Sequence, residues 1–275
     1  MNINISLANF KKKYKKKKNQ IIFHQANCKE NKIVENLIKN FLDKKNSFIF
    51  ESVEKRRIRG RYTIIGANPD KIWEFNKNNI YLFENNKKKI IKASPYPYLK
   101  KLVESFNFPL PKNLPSLCSL LVGYFSYDII RYIEKVPNKC LDDLKIPDVR
   151  LMRPKVIIIH DNLLKKIYFI INCYADEKII NYNKYYNEQV AKLQSLTYLT
   201  LNLKTENTSN YFYKGKLKVK SNISKEKFKN IVLKAKKYIK KGDIFQVVLS
   251  QRFERKFNKK PIEIYNYLRK SNPSP

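Results

Sequence analysis

Between residues 30 and 45 the apolar positions Ile33, Val34, Leu37, Ile38, Phe41 and Leu42 recur at helical spacing, which predicts an amphipathic helix. Asn46 and Ser47 end it, and Phe48, Ile49 and Phe50 read as a buried strand running into Glu51 and Ser52. Short β-like runs at residues 61–65, 72–75 and 80–83 are separated by turn chemistry at Gly66, at Asn68-Pro69 and over 76–79, the pattern of a meander. A helix is expected over 98–106, after which Pro109, Pro111 and Pro115 keep the chain extended up to the apolar run 117–122. Residues 150–160 and 166–174 are β-rich and flank Asp161-Asn162, which predicts a hairpin. A helix is predicted from Asp176 to about Leu193, and the Thr-, Ser- and Asn-rich stretch 195–213 reads as a linker.

The last 55 or so residues carry the clearest signals. Ser224 is placed to cap a helix whose apolar face is Phe228, Ile231, Val232, Ala235, Tyr238 and Ile239, with Ile223 before the cap to staple onto Phe228. Lys236, Lys237, Lys240 and Lys241 suit its C-terminal dipole, and Gly242 suits a left-handed stop. Residues 243–253 then read as a core strand, and Pro261 opens a helix through Ile264, Tyr265 and Leu268. One strand and two helices bury little, so a chain stopping at Asn272-Pro273-Ser274-Pro275 reads as cut. The predicted organisation is a basic segment over 1–20, a first domain over 21–194, a linker over 195–220 and the beginning of a second domain over 221–275. The fold class is mixed α+β, with largely antiparallel sheets and packed helices.

Composition changes this picture in one respect. Lys and Arg number 58 against 23 Asp and Glu, a formal charge of +35. Ten of those cations are arginine and 48 are lysine, in a background rich in Asn, Ile, Tyr and Phe. All are residues with A/T-rich codons, so drift in base composition explains the bias better than a phosphate reader, which favours the planar arginine fork. The run at 11–18 accordingly reads as a solvated face, with a lysine-rich nucleic-acid-binding module as the competing class. A hydrophobic content of 43% is ample for a packed core. No apolar run approaches the ~20 residues of a membrane span, and residues 1–10 do not read as an export signal. Both point to a cytoplasmic protein without membrane attachment, with Cys28, Cys118, Cys140 and Cys173 as reduced thiols.

Self-contained chemistry is scarce. The five glycines are too scattered for a phosphate loop, and two histidines with widely spaced cysteines do not build a zinc site. Asp142-Asp143 and Asp176-Glu177 are adjacent carboxylates, which point apart and serve as caps or surface charges more often than as acid–base pairs. His160-Asp161 could form a base and its orienter, against a simpler role in the hairpin.

Four ordered blocks change the reading. The stretch SFIFESVEKRRIRGRYTIIGANPD from Ser47 to Asp70, GYFSYDIIRYIEKVP from Gly123, IPDVRLMRP from Ile146, and SNISKEKFKNIVLKAKKYIKKGDIFQVVLSQRFE from Ser221 with the YNYLRKSNPSP ending closely resemble anthranilate synthase component I. The sister aminodeoxychorismate (para-aminobenzoate) synthases tend to differ within GDIFQVVLSQRF, and remain the near alternative. The resemblance covers most of the chain but not its first forty residues.

It implies an α+β enzyme, a carbon-oxygen lyase converting chorismate to anthranilate and pyruvate at the first step of tryptophan biosynthesis. It also implies a glutamine amidotransferase partner (component II) that delivers ammonia, Mg2+ to balance the substrate carboxylates, and feedback inhibition by L-tryptophan. The family's chorismate and Mg2+ residues lie beyond its NPSP segment, so no catalytic residue and no metal ligand is carried over, and these residues alone are expected to be inactive. Part of the tryptophan site is carried over: Glu51 and Ser52 match the family's L-E-S strand, with Phe50 in place of the leucine, and Asn272, Pro273, Ser274 and Pro275 match N-P-S-P. A zwitterionic ligand wants a carboxylate or carbonyls for its ammonium and hydroxyl or N–H donors for its carboxylate, which these residues could supply. Without the family match, Glu51 and Ser52 would read as the end of an edge strand.

Overall fold

The apolar runs of the first 175 residues pair into one antiparallel sheet. In the computed structural model, which describes all residues except 1, 29–31, 43, 52–59, 107, 140, 203–217, 259 and 272–275, the elements in chain order are as follows. They are α1 (Leu7–Lys15), β1 (Gln20–Asn27), α2 (Lys32–Phe41), β2 (Phe48–Glu51), β3 (Tyr62–Asn76), β4 (Asn79–Glu84), β5 (Lys87–Ile91), α3 (Pro95–Ser105), β6 (Val122–Phe125), β7 (Val149–Asp161), β8 (Lys166–Cys173), α4 (Tyr182–Leu201), β9 (Lys220–Ser221), α5 (Lys225–Lys241), β10 (Phe253–Glu254) and α6 (Pro261–Ser271). Two compact units result, residues 1–205 with 265–275, and residues 206–264.

The spine of the first unit is the pairing of β3 with β7, from Tyr62 opposite Asp161 to Phe75 opposite Val149. Around it the order is β1-β8-β7-β3-β4-β5, with β2 also on β3 and β6 also on β7. The expected turn at Gly66 and Asn68-Pro69 is absent. β3 runs straight through it, with Asn68 in the left-handed region at φ 53° and the register shifting between Pro69 and Lys71. Turn-forming residues here make a β-bulge, because the long β7 opposite offers an uninterrupted ladder.

Alternation along the strands sorts the core to two faces. Ile158, Ile65, Phe169 and Ile22 meet the helices on one face, and Ile157, Ile159, Ile64 and Phe23 meet Leu114 and Cys118 of the proline-rich connection on the other. Trp73, Phe75, Ile80 and Leu151 form a third cluster, closed by Leu99 of α3.

Two helices depart from the sequence reading. The basic N-terminal segment is part of the first unit: Ser6 caps α1 on Asn9 N–H, and Phe10 and Tyr14 are buried while the neighbouring lysines point outward. Phe10 packs 5.4 Å from the Tyr186 ring of α4. α4 itself begins at Tyr182, capped by Asn181, and continues to Leu201 through the first residues of the expected linker. Thr197 is accommodated there by donating to the Leu193 carbonyl at 2.8 Å, and Leu193 and Thr200 are buried. Burial against the sheet outweighs the weak helix propensity of these threonines.

In the second unit α5 has the predicted ends: the Ser224 side chain accepts from Lys227 N–H, and Gly242 takes φ 79°. The expected strand over 243–253 is reduced to Phe253–Glu254, paired with Lys220–Ser221. Phe245 is 98% and Val248 82% exposed, and among the described residues no further strand offers this stretch a ladder. β-propensity without a partner strand does not hold an extended chain in a sheet.

Candidate functional site

Strand β2 is short, and its register decides where its side chains go. Phe48 pairs with Gly66 and joins the core shared with Ile64, whereas Glu51 pairs with Thr63, opposite His160 on β7, which in turn faces Ile167 on β8. Directly paired residues share a face, so Glu51, Thr63, His160 and Ile167 form one row across the sheet.

The Glu51 carboxylate is held by α6. Tyr265 donates its hydroxyl to Oε2 at 2.9 Å, and Arg269 donates Nε to Oε2 at 2.6 Å and Nη2 to Oε1 at 2.5 Å. Tyr265 and Arg269 stand one turn apart on one helical face, and the edge of the guanidinium meets the carboxylate bidentately. The Glu51 side chain is 6% exposed and that of Arg269 18%. Burial, and then the hydrogen bond to Glu51, push the Tyr265 hydroxyl well above its ordinary pKa, so it stays a donor.

Of the six residues expected at the effector site, the structure places Glu51. Ser52, Asn272, Pro273, Ser274 and Pro275 lie outside the described residues. Tyr265 and Arg269 did not emerge from the sequence as functional residues. Their signal was a tyrosine and an arginine at i and i+4, on the helix that leads into Asn272.

The other candidate chemistry resolves into structure. His160 and Asp161 do not act together: the Arg61 fork grips Asp161, which also accepts from the Leu163 and Leu164 amides, closing the hairpin turn. Burial alone would raise the Asp161 carboxyl, but Arg61 and the Leu164 and Leu163 amides outweigh it and hold it below the usual range. His160 is buried, and burial followed by the Lys165 charge depresses its pKa, against the opposing effects of Asp161 and the Asn162 side chain. Asp142 caps a turn at Lys145 N–H, while Asp176 pairs with Arg153 and Lys71. Glu177 accepts from Lys155, Tyr185 and the Tyr174 amide. Cys28, Cys118 and Cys173 are buried, with the Cys118 thiol pushed up to about 11 and that of Cys173 to about 12 by burial, so neither of these two is a nucleophile at neutral pH. Among the described residues no three His, Cys, Asp or Glu side chains gather to hold a metal ion, and no helix is long and apolar enough to cross a membrane.

The sequence profile of chorismate binding enzymes matches residues 45–275, from just before β2 to the last residue. The chain belongs to that family. Its curated relatives include the anthranilate synthase component 1 of Acetivibrio thermocellus, 38% identical over 87% of this chain and 49% of the relative. The component 1 of Aquifex aeolicus is 33% identical over 83% of this chain and 46% of the relative. Among solved structures, anthranilate synthase component I from Streptococcus pneumoniae TIGR4 superimposes with a TM-score of 0.63 at 25% identity, covering 80% of this chain and 47% of that one. The chain therefore spans about half the length of the relatives it matches. The family match takes in both Glu51 and the helix that holds it, whereas α1 and β1 precede it.

Proposed function

We propose that the chain is the front portion of an anthranilate synthase component I, which with the remainder of such a protein converts chorismate and ammonia to anthranilate and pyruvate. The observation that carries this reading is identity of up to 38% to component 1 proteins, running through the sheet unit and into the α5 region. The glutamine amidotransferase component II would supply the ammonia, and the location would be the cytoplasm. Mg2+ would be held by residues outside this chain, as the family resemblance implies.

On this reading the first unit is regulatory, and the corner of Glu51, Ser52 and Asn272 to Pro275 receives L-tryptophan as feedback inhibitor. The buried carboxylate of Glu51, facing the helix that leads into Asn272, supports the assignment. Effector binding at such a corner would bias two arrangements of the protein, a coupling free energy between sites.

The test joins these residues in one polypeptide to the C-terminal half of the Acetivibrio thermocellus relative and follows anthranilate fluorescence with chorismate and ammonium. Anthranilate formed by the joined protein, and none by residues 1–275 alone, is the expected result. An aminodeoxychorismate product would move the chain to the sister enzymes, and no chorismate turnover would overturn the reading. Ser52→Ala in the joined protein should weaken inhibition by tryptophan while leaving uninhibited turnover intact; unchanged inhibition would overturn the effector site.

A further inference from the structure

The sheet of the first unit ends on two unlike strands. β5 closes one side with exposed Lys87, Lys88 and Lys89, the charge that keeps an edge from pairing with another chain. β1 closes the other side with Gln20 to Asn27, and holds no Lys, Arg, Asp or Glu in a chain that has 58 lysines and arginines. Its register with β8 fixes which backbone groups face away. The Cys28 amide donates to the Lys165 carbonyl at 2.7 Å, one step beyond Asn27 opposite Lys166. Even-numbered residues of β1 therefore turn their N–H and C=O toward β8, and odd-numbered residues turn theirs outward.

Asn4 already reads that outer edge. Its Oδ1 accepts from the Phe23 amide at 2.8 Å and its Nδ2 donates to the Ile21 carbonyl at 2.9 Å, so one carboxamide stands where the peptide group of a neighbouring strand would. Past Phe23 this cover stops. Gln25 and Asn27 are exposed, and no hydrogen bond from another described residue reaches the outward Phe23 carbonyl, the Gln25 N–H and carbonyl, or the Asn27 N–H. We propose that β1 accepts an extended segment of an acidic partner protein as an added strand along Phe23 to Asn27.

The partner's chemistry follows from what surrounds the edge. Backbone pairing supplies affinity for an extended chain, and hollows beside the edge select its side chains. One hollow of about 440 Å³ lies between the N-terminal segment and the strand, lined by Asn2, Asn4, Phe23, Gln25 and Asn113 among others. A second, of about 510 Å³, shares Asn4, Phe23 and Asn113 with it and adds Lys13 and Lys112. No Asp or Glu lines either hollow. A strand whose end runs past Asn4 thus meets amides and then two ammonium groups, which suit carboxylates. A second copy of this chain suits the place poorly, because it brings a formal charge of +35 toward a molecule of the same charge.

The experiment is fluorescence anisotropy of the 275-residue chain with a labelled peptide of alternating threonine and valine, flanked at each end by two aspartates. Wild type should bind it saturably, and should bind the same peptide with lysines in place of the aspartates at least about tenfold more weakly. Methylating every backbone nitrogen between the aspartates removes the peptide's strand donors and should also weaken binding by about tenfold or more. Gln25→Pro should have the same effect, because it removes an outward donor and leaves the ladder to β8 intact. Lys13→Glu combined with Lys112→Glu should narrow the preference for aspartate over lysine several-fold, and an unchanged preference overturns the acidic character of the partner. No saturable binding to wild type overturns the proposal. Binding that survives both the methylation and Gln25→Pro overturns it as well, and means attachment to surface lysines; the methylated peptide decides alone if Gln25→Pro does not fold. A wild-type chain that sediments as a dimer, and as a monomer with Gln25→Pro, gives the edge to a second copy and overturns the acidic partner.

Discussion

The ring of Phe48 occupies the space that a side chain at Gly66 would need. A Cβ on Gly66 would lie 2.1 Å from Cε1 and 2.4 Å from Cζ of that ring, across the ladder that joins β2 to β3. Phe48 is buried, so the ring cannot simply swing aside. Gly66→Ala should therefore either turn Phe48 out of its cluster or part β2 from β3, at a cost of about 1–3 kcal/mol, the range for overpacking. Urea unfolding reads the loss. Hydrogen exchange should also quicken at the peptide holding Glu51, three residues further along β2.

The N-terminal helix belongs to the fold, with a measurable energy. Phe10 is fully buried among Tyr14, Tyr185 and Tyr186, and its carbonyl accepts from Gln20 Nε2 at 3.0 Å. Phe10→Ala should cost about 3–5 kcal/mol, as large-to-small changes of a buried phenylalanine do. Replacing Lys12 or Lys16, both exposed, by Ala should leave stability within about 0.5 kcal/mol. Equal effects of the core and surface changes would mean that the segment is a solvated tail after all.

Arg153 holds the strand-to-strand contacts of the sheet's middle. Its Nε donates to Asp70 at 2.9 Å, Nη1 and Nη2 donate to Asp176 at 3.1 and 2.9 Å, and the guanidinium lies 3.8 Å over the Tyr174 ring. Burial works against the charge, but Asp70 and Asp176 outweigh it and keep the guanidinium protonated. Arg153→Met removes the guanidinium that pairs with Asp70 while keeping volume, and should cost about 3 kcal/mol, as breaking one half of a buried pair does. Arg153→Lys should recover part of that. Differential scanning calorimetry of the two variants gives the comparison, and equal midpoints for Met and wild type would show that the network contributes nothing net.

Much of the fold was legible in the sequence because its signals are local. The hairpin at Asp161-Asn162, the helix over 32–41 and both ends of α5 follow from periodicity, a cap and a left-handed glycine within a few residues of each other. The errors fell where a distant partner decides. Asn68-Pro69 is a turn by its residues and a bulge because β7 runs alongside; Thr197 and Thr200 are linker-like by composition and helical because the sheet buries them; residues 243–252 are strand-like and lack a ladder. The site followed the same rule. Glu51 was readable from a motif, whereas its clamp joins residues 214 and 218 positions apart in the chain.

His160 gives the sheet a dependence on mildly acidic pH. It lies buried on β7 between Thr63 and Ile167, and burial and the Lys165 charge depress its pKa while Asp161 and the Asn162 side chain oppose them. A histidine that is harder to protonate in the fold than in the unfolded chain contributes stability above the unfolded value of about 6.5, and that contribution is lost as pH falls toward the depressed folded value. Asp161 and Asp176 are also depressed, but their contributions persist until pH falls below the unfolded carboxylate value of about 3.9. The two windows separate the two causes. Between about pH 6.5 and 4.5 wild-type stability should decline, and His160→Leu, which cannot charge, should show a much flatter profile over that range. Below about pH 4 both proteins should lose stability together. A decline between pH 6.5 and 4.5 that is as steep in His160→Leu as in wild type would assign the effect to some other group and leave His160 a passive occupant of the core.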